Sequence, residues 1–324
     1  MMGLDEKQMI PLPTNLSPVA AAFPTAMKAI FQRLHPVFGP EEFLLFGGAA
    51  IDLLRDPTAP VADYDIAVRN HPAKIRRCKE ALVLNGFDIV VNERSYYIHR
   101  DVRVILVVAK KGDEVLDISF LDDFSDIGLF DVETLVCRFP KIVVQDPFHA
   151  VAALKRREVR LIRRLDQEDP FVVLSRFLHL CSKYDFPMHQ GPEHKGLQEE
   201  LLKRILQKER KSLSPSERVS PASHCSMVLR SMASAANRSM FLLDLSESDW
   251  LGFTMPELKV HLLSLGEARR PLETARGKTD LVEILINSMS PRLRTEFLQR
   301  LESFRPRVWD LEDQIIVDRL ARKN

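Results

Sequence analysis

No apolar run in this chain approaches the ~18 residues that a membrane-crossing helix needs. Its first residues, MMGLDEKQ, lack the basic start of a secretory signal. A soluble cytoplasmic protein, with no membrane partner, is the expectation. Cysteine is scarce. Cys78, Cys137, Cys181 and Cys225 lie far apart and form no Cys-x-x-Cys, which points to reduced thiols rather than a disulfide framework or a zinc site. Charge of one sign is also lacking. The formal net charge is +1, so the whole molecule does not attract nucleic acid, and any RNA contact must come from a local patch. There is no internal repeat. What remains is an ordinary globular composition, 45% hydrophobic and 28% charged over 324 residues, long enough for two domains.

The densest chemistry lies in Phe43 to Val68, FLLFGGAAIDLLRDPTAPVADYDIAV. Phe43-Leu44-Leu45-Phe46 has the length of a buried strand. Gly47-Gly48 follows, then a short helix over Ala49 to Leu54. A loop with Pro57 and Pro60 ends it. Val61 to Val68 reads as a second strand. Alternate side chains on a strand share a face, so Asp63 and Asp65 point the same way, about 6–7 Å apart at Cα. Such a pair repels itself unless a cation intervenes, and hard oxygen ligands suit Mg²⁺. Gly47-Gly48 sits where backbone can approach a phosphate closely, beside the free N–H groups of a helix start.

This arrangement of strand, Gly-Gly, helix and Asp-x-Asp resembles the polymerase-beta-like nucleotidyltransferase superfamily. Within it the chain is most similar to the head domain of tRNA nucleotidyltransferases and bacterial poly(A) polymerases. That family reads Gly-Gly-x-Val-Arg-Asp; here Gly47-Gly48-Ala49-Ala50-Ile51-Asp52 keeps the Asp and puts Ile51 in place of the Arg.

Upstream, Ser17 is positioned to cap a helix opening at Pro18. Ala29, Ile30, Phe31 and Leu34 form its apolar stripe, and His35-Pro36 is expected to end it. Downstream, Ala73 to Asn85 reads as a helix stopped by Gly86. Three β-rich runs follow: Phe87 to Val91, Val102 to Ala109, and Val115 to Leu121. The last holds Asp117, and an Asp inside a buried strand is costly unless paired or bound to a metal. The superfamily takes a third carboxylate from a later strand, and Asp117 fits that place. Asp122 and Asp123, at the strand end, reach solvent and need no partner.

Residues 146–186 carry a second resemblance. The family runs Asp-Pro-[Phe/Tyr]-Gly-Gly, a helix with a basic end, a short Ile-Arg-x-Ile strand, then Glu-Asp-Pro and a further helix. Here stand Asp146-Pro147-Phe148, Lys155-Arg156-Arg157, Val159-Arg160-Leu161-Ile162 and Glu168-Asp169-Pro170. Lys155, Arg156, Arg157, Arg160, Arg163 and Arg164 make the densest basic patch, which either contacts a triphosphate or RNA backbone or is a solvated face. The family's base-selecting block is Glu-Asp-x-x-Arg. Val172 occupies the Arg position, and Arg176 is expected to face away from it.

His189 and His194 are expected in a surface loop. Residues 212–221 read as a linker. The tail has helical patterns over Met227 to Leu243, Met255 to Leu265, Leu281 to Met289, Pro291 to Phe304 and Val308 to Leu320. Met232, Met240 and the alanines over 233–236 read as core or helix–helix contacts rather than a ligand box.

The resemblance implies an α/β nucleotidyltransferase head with a mixed β-sheet (1–145), a helical neck (146–211) and an all-α C-terminal region (222–324). It implies a template-independent, Mg²⁺-dependent transfer of a nucleoside monophosphate from a nucleoside triphosphate, ATP among them, to a hydroxyl. Asp63, Asp65 and Asp117 would bind two Mg²⁺ and act catalytically. Gly47, Gly48, Asp52, Lys155, Arg156, Arg160 and Asp169 would contact the nucleotide. The acceptor stays open: an RNA 3′ end of tRNA type leads, a small molecule or protein side chain is the rival, and an inactive RNA- or partner-binding head is a third possibility.

Overall fold

Among the described residues seven strands form one sheet, and their order decides where the acidic residues meet. The computed structural model describes residues 18–39, 43–58, 60–99, 102–124, 127–140, 142–189, 191–209, 221–266 and 270–303. Helix α1 (Pro18–Phe38) leads to β1 (Phe43–Phe46), α2 (Gly47–Arg55), β2 (Tyr64–Arg69), α3 (Pro72–Leu84), β3 (Asp88–His99), β4 (Val102–Lys111) and β5 (Glu114–Leu121). β6 (Val136–Phe139), β7 (Val143–Gln145) and α4 (Ala150–Arg156) follow. The sheet order is β3-β4-β5-β2-β1-β6-β7. β2 and β5 are parallel and the other neighbours antiparallel, so the sheet is mixed. The chain divides into two compact units, Met1–Arg156 with Leu161–Gln167, and Arg157–Arg160 with Glu168–Asn324.

Strand alternation gives the sheet two different faces. Tyr64, Ile66 and Val68 of β2 and Leu116, Ile118 and Phe120 of β5 join one core with α1, α2 and α3. Ala49 and Ala50 of α2 are small enough to bring that helix close to the strands. The opposite face carries Leu44, Ala67, Val104 and Leu121 in a smaller cluster with Phe124 and Ile127. Asp65, Asp117 and Ser119 belong to this second face by the same alternation.

Several element bounds differ from the sequence reading. α1 continues through Pro36 to Phe38 and is closed by Gly39, whose φ is +64° and whose N–H donates to His35 O at 2.7 Å. A proline in the last turn removes only one helical hydrogen bond, so the helix runs past it. Ala29 is exposed, and the buried stripe is Met27, Ile30, Leu34 and Val37. β6 and β7 come from a stretch without strong β-patterning. Before them, buried Glu133 accepts the N–H groups of Leu129 and Phe130 at 2.9 and 3.1 Å. Ser17, most of the 212–221 linker and the Val308–Leu320 helix fall outside the described residues.

The second unit is helical: α5 (Pro170–Tyr184), α6 (Gly191–Glu209), α7 (Pro221–Ser234), α8 (Arg238–Glu247), α9 (Asp249–Thr254), α10 (Pro256–Leu265), α11 (Arg270–Glu273), α12 (Lys278–Ser288) and α13 (Pro291–Ser303). Buried Phe171, Leu174, Phe177, Leu178 and Cys181 make α5 its central rod. Arg300 of α13 forks onto Glu257 of α10 with two 2.8 Å bonds. The expected single helix over Met227–Leu243 is two, because Asn237 caps α8 by accepting from Met240 N–H at 3.3 Å. Met240 is exposed rather than core, while Met232 is buried. His189–Gly196 is not a loop, since α6 starts at Gly191. His194 is buried, not on the surface: Val159 N–H donates to its Nε2 at 3.1 Å, and its Nδ1 faces Pro187 O at 3.1 Å.

Candidate active site

β1 runs straight into α2, with no loop between Phe46 and Gly47. Gly47 and Gly48 are therefore the first two residues of the helix rather than a turn before it. Gly47 has φ +65°, the left-handed region where a Cβ is costly. The first N–H groups of a helix have no acceptor within it. Gly48 N–H finds one outside, donating to Asp65 Oδ2 at 3.2 Å. A Cβ on Gly47 would lie 2.5 Å from that same oxygen. The left-handed backbone favours glycine here, and a Cβ would also have to displace the β2 carboxylate from the helix start.

β2 begins at Tyr64, so Asp63 precedes the strand and Asp65 lies within it. In the β2/β5 ladder Asp65 is directly opposite Asp117. Parallel neighbours in register project to the same face, so these two carboxylates are adjacent. Burial holds the Asp117 carboxyl above the ordinary carboxylate range, and the charge of Asp63 pushes it further up. Asp63 is thus electrostatically coupled to Asp117, and Asp65 stands beside Asp117 in the ladder. Phe46 pairs with Asp65 on the other side. Ser119, the next same-face residue along β5 and only 6% exposed, places a buried neutral hydroxyl next in line after Asp117. Sequence reasoning misses it, although the Asp117-x-Ser119 alternation is the signal that could reveal it.

The remaining candidates divide between the units. Asp52 stands four residues beyond Gly48 on α2 and is half-buried. Lys155 and Arg156 are exposed in the last turn of α4. Arg160 and Asp169 belong to the second unit. Asp169 caps α5, its Oδ1 accepting from Phe171 N–H at 2.8 Å. Of the other basic residues, Arg157 donates to Asp185, Arg163 Nε donates to Gly128 O at 3.2 Å, and Arg164 pairs with Asp166 at 2.7 Å. Asp122 does have partners, accepting from Asn70 Nδ2 at 2.9 Å. Val172 and Arg176 both lie on α5. Four residues turn a helix through about 400°, so these two side chains share a face, one turn apart, and the expectation that Arg176 points away from Val172 is wrong.

Among the described residues no group of three or more His, Cys, Asp or Glu side chains is drawn together as a metal cluster. All four cysteines are buried and outside any disulfide; burial pushes the thiols of Cys137 and Cys225 up to about 12. The donor set at the acidic row is carboxylate oxygen, which fits a hard divalent cation. Mg²⁺ is commonly held by one or two carboxylates with substrate phosphates completing its shell, so a closed protein cage is not required. No described helix is long and apolar enough to cross a membrane.

The fold is one shared with solved CCA-adding enzymes and a tRNA nucleotidyltransferase. Among solved structures, a CCA-adding enzyme of Thermotoga maritima in complex with tRNA(CCA) matches with a TM-score of 0.53 at 16% identity, over 92% of this chain and 80% of that one. A tRNA nucleotidyltransferase complexed with a primer tRNA and an incoming ATP analogue matches at 0.53 and 16%, over 82% and 81%. A CCA-adding enzyme with CTP matches at 0.52 and 15%, over 90% and 76%. At this identity the likeness is one of fold. No protein-family model and no curated protein matches the chain.

Proposed function

We propose that this protein is a metal-dependent nucleotidyltransferase that moves a nucleoside monophosphate from a nucleoside triphosphate to a hydroxyl, with an RNA 3′ end as acceptor. One observation carries the reading: Asp65 is both in register with Asp117 and hydrogen-bonded to the start of α2. Carboxylates for a cation and N–H groups for a phosphate thereby meet at one point.

In this reading Asp63, Asp65 and Asp117 would hold Mg²⁺, which when bound would supply charge neutralisation at the attacking hydroxyl and the leaving pyrophosphate. Asp117, as a carboxylate beside the attacking hydroxyl, would take its proton. The N–H groups at Gly47 and Gly48 orient the terminal phosphates. Positioning and charge neutralisation supply most of the catalysis in such chemistry. The RNA acceptor is supported by the fold shared with enzymes solved on tRNA.

The test is incubation of purified protein with each labelled triphosphate and total RNA, with and without Mg²⁺. Mg²⁺-dependent label in RNA is the expected result. Label in protein or small molecules moves the acceptor to the rival class, and no transfer at all removes the enzyme reading.

A further inference from the structure

The hydrogen bond between Gly48 and Asp65 joins two parts of the site that have to act separately. Gly48 is the second residue of α2, so its N–H is one of the donors that an anion at the helix start would use. Asp65 Oδ2 already takes it, at 3.2 Å. Because a Cβ at Gly47 would fall 2.5 Å from this oxygen, the carboxylate lies against the backbone with nothing between them. A phosphate oxygen and this carboxylate oxygen cannot occupy the same N–H, and their like charges repel.

We infer that Asp65 is a latch that makes triphosphate binding conditional on a divalent cation. Bonded to Gly48, Asp65 covers the helix start with its own negative charge. When its carboxylate turns to ligate a cation, it gives up the Gly48 N–H and the phosphate site opens. Binding of cation and triphosphate is then cooperative through one side chain. The inference rests on the nucleotide-binding reading above and adds the order in which the site assembles. Asp63 serves as an internal control. It contributes the same charge to the acidic row, as its effect on Asp117 shows, yet the bond to the start of α2 belongs to Asp65.

The test is calorimetric titration of ATP into the full chain, once in EDTA and once in MgCl₂. Wild type should bind at least about tenfold more weakly in EDTA. Asp65→Ala should recover most of that loss in EDTA, and Asp63→Ala clearly less. Equal gains in the two variants, or no gain in Asp65→Ala, overturn the latch. Wild-type affinity that is equal in both buffers also overturns it and leaves nucleotide binding standing. A wild type that binds no triphosphate in either buffer overturns both. A second measurement needs no variant. The latch is the acceptor of the Gly48 N–H, so Mg²⁺ alone should speed hydrogen exchange of that amide; unchanged or slower exchange overturns the inference.

Discussion

Asp65 and Asp117 stand directly opposite each other on the parallel strands β2 and β5, and Asp63 lies near enough to raise the Asp117 carboxyl. The chain maintains this repulsion in the folded state. Without a cation, the acidic row is a cost to folding rather than a source of stability.

Asp117→Asn should therefore stabilise the protein in EDTA at pH 7 while abolishing transfer. The sign follows from the direction of the shift. Burial, then Asp63, raises the folded value above the ordinary 3.8. Between these two values the native state binds more protons than the unfolded chain, so wild-type stability falls as pH rises through the window. The penalty is complete above the folded value and absent below 3.8. The gain in Tm of Asp117→Asn should be larger at pH 7 than at pH 4. A variant that melts below wild type, or whose gain is as large at pH 4, contradicts this account.

Gly47→Ala tests why the helix can start where it does. A left-handed conformation costs an L-residue roughly 1–2 kcal/mol, and the new Cβ must also displace Asp65 Oδ2 from 2.5 Å. We expect a loss of about 2 kcal/mol in urea unfolding, read against the usual spread for special backbone positions. Combining it with Asp65→Ala should recover the steric part and leave the backbone part, so the two changes should not add. Strict additivity would mean that Gly47 is needed for its backbone alone.

Much of this unit could be read from the chain because period and composition agree with tertiary structure. Phe43–Phe46 is the strand its apolar run indicates, and Asp117 lies on a later strand of the same sheet, opposite Asp65, as its place in the chain suggests. Elsewhere tertiary contacts override local signals. The alanines near 235 favour helix, yet α7 ends at Ser234; Ala236 N–H donates to Ser182 O at 2.8 Å and Asn237 starts a new helix. His194 looks like a surface residue in a polar segment and is instead a buried tie between Val159 and Pro187, because two backbone groups satisfy its ring. No local pattern announces a partner that is 35 residues away in sequence.

The basic end of α4 bears on the acceptor. Lys155 and Arg156 are exposed there, and Arg157 pairs with Asp185. The double variant Lys155→Glu/Arg156→Glu should weaken RNA binding. It should also flatten the salt dependence, by about 0.7 in log–log slope for each phosphate of single-stranded RNA that is no longer neutralised. Filter binding between low and moderate salt measures both. Unchanged affinity and slope would assign these residues to a solvated face.

Base choice is the sharpest question the chain poses. In the tRNA nucleotidyltransferases it resembles, an Asp and an Arg three residues later select the incoming base at its pairing edge. Here the Asp is Asp169, and its Oδ1 is engaged in capping α5 at 2.8 Å from Phe171 N–H. The Arg position is Val172, which cannot donate a hydrogen bond to a base. Arg176 shares the helix face but is four residues further, a displacement of about 6 Å along the axis. A guanidinium moved by that distance cannot make the same bidentate contact from the same backbone position. We therefore expect relaxed choice among bases, or use of a single triphosphate, instead of ordered addition of C, C and A. A tRNA lacking its 3′ CCA, offered mixed triphosphates and then sequenced, distinguishes these outcomes. Val172→Arg should narrow the choice of base if the family's geometry is otherwise kept. Faithful CCA ends from the wild type would show that Arg176 or another side chain does the reading, and would make the protein a plain tRNA-maturing enzyme.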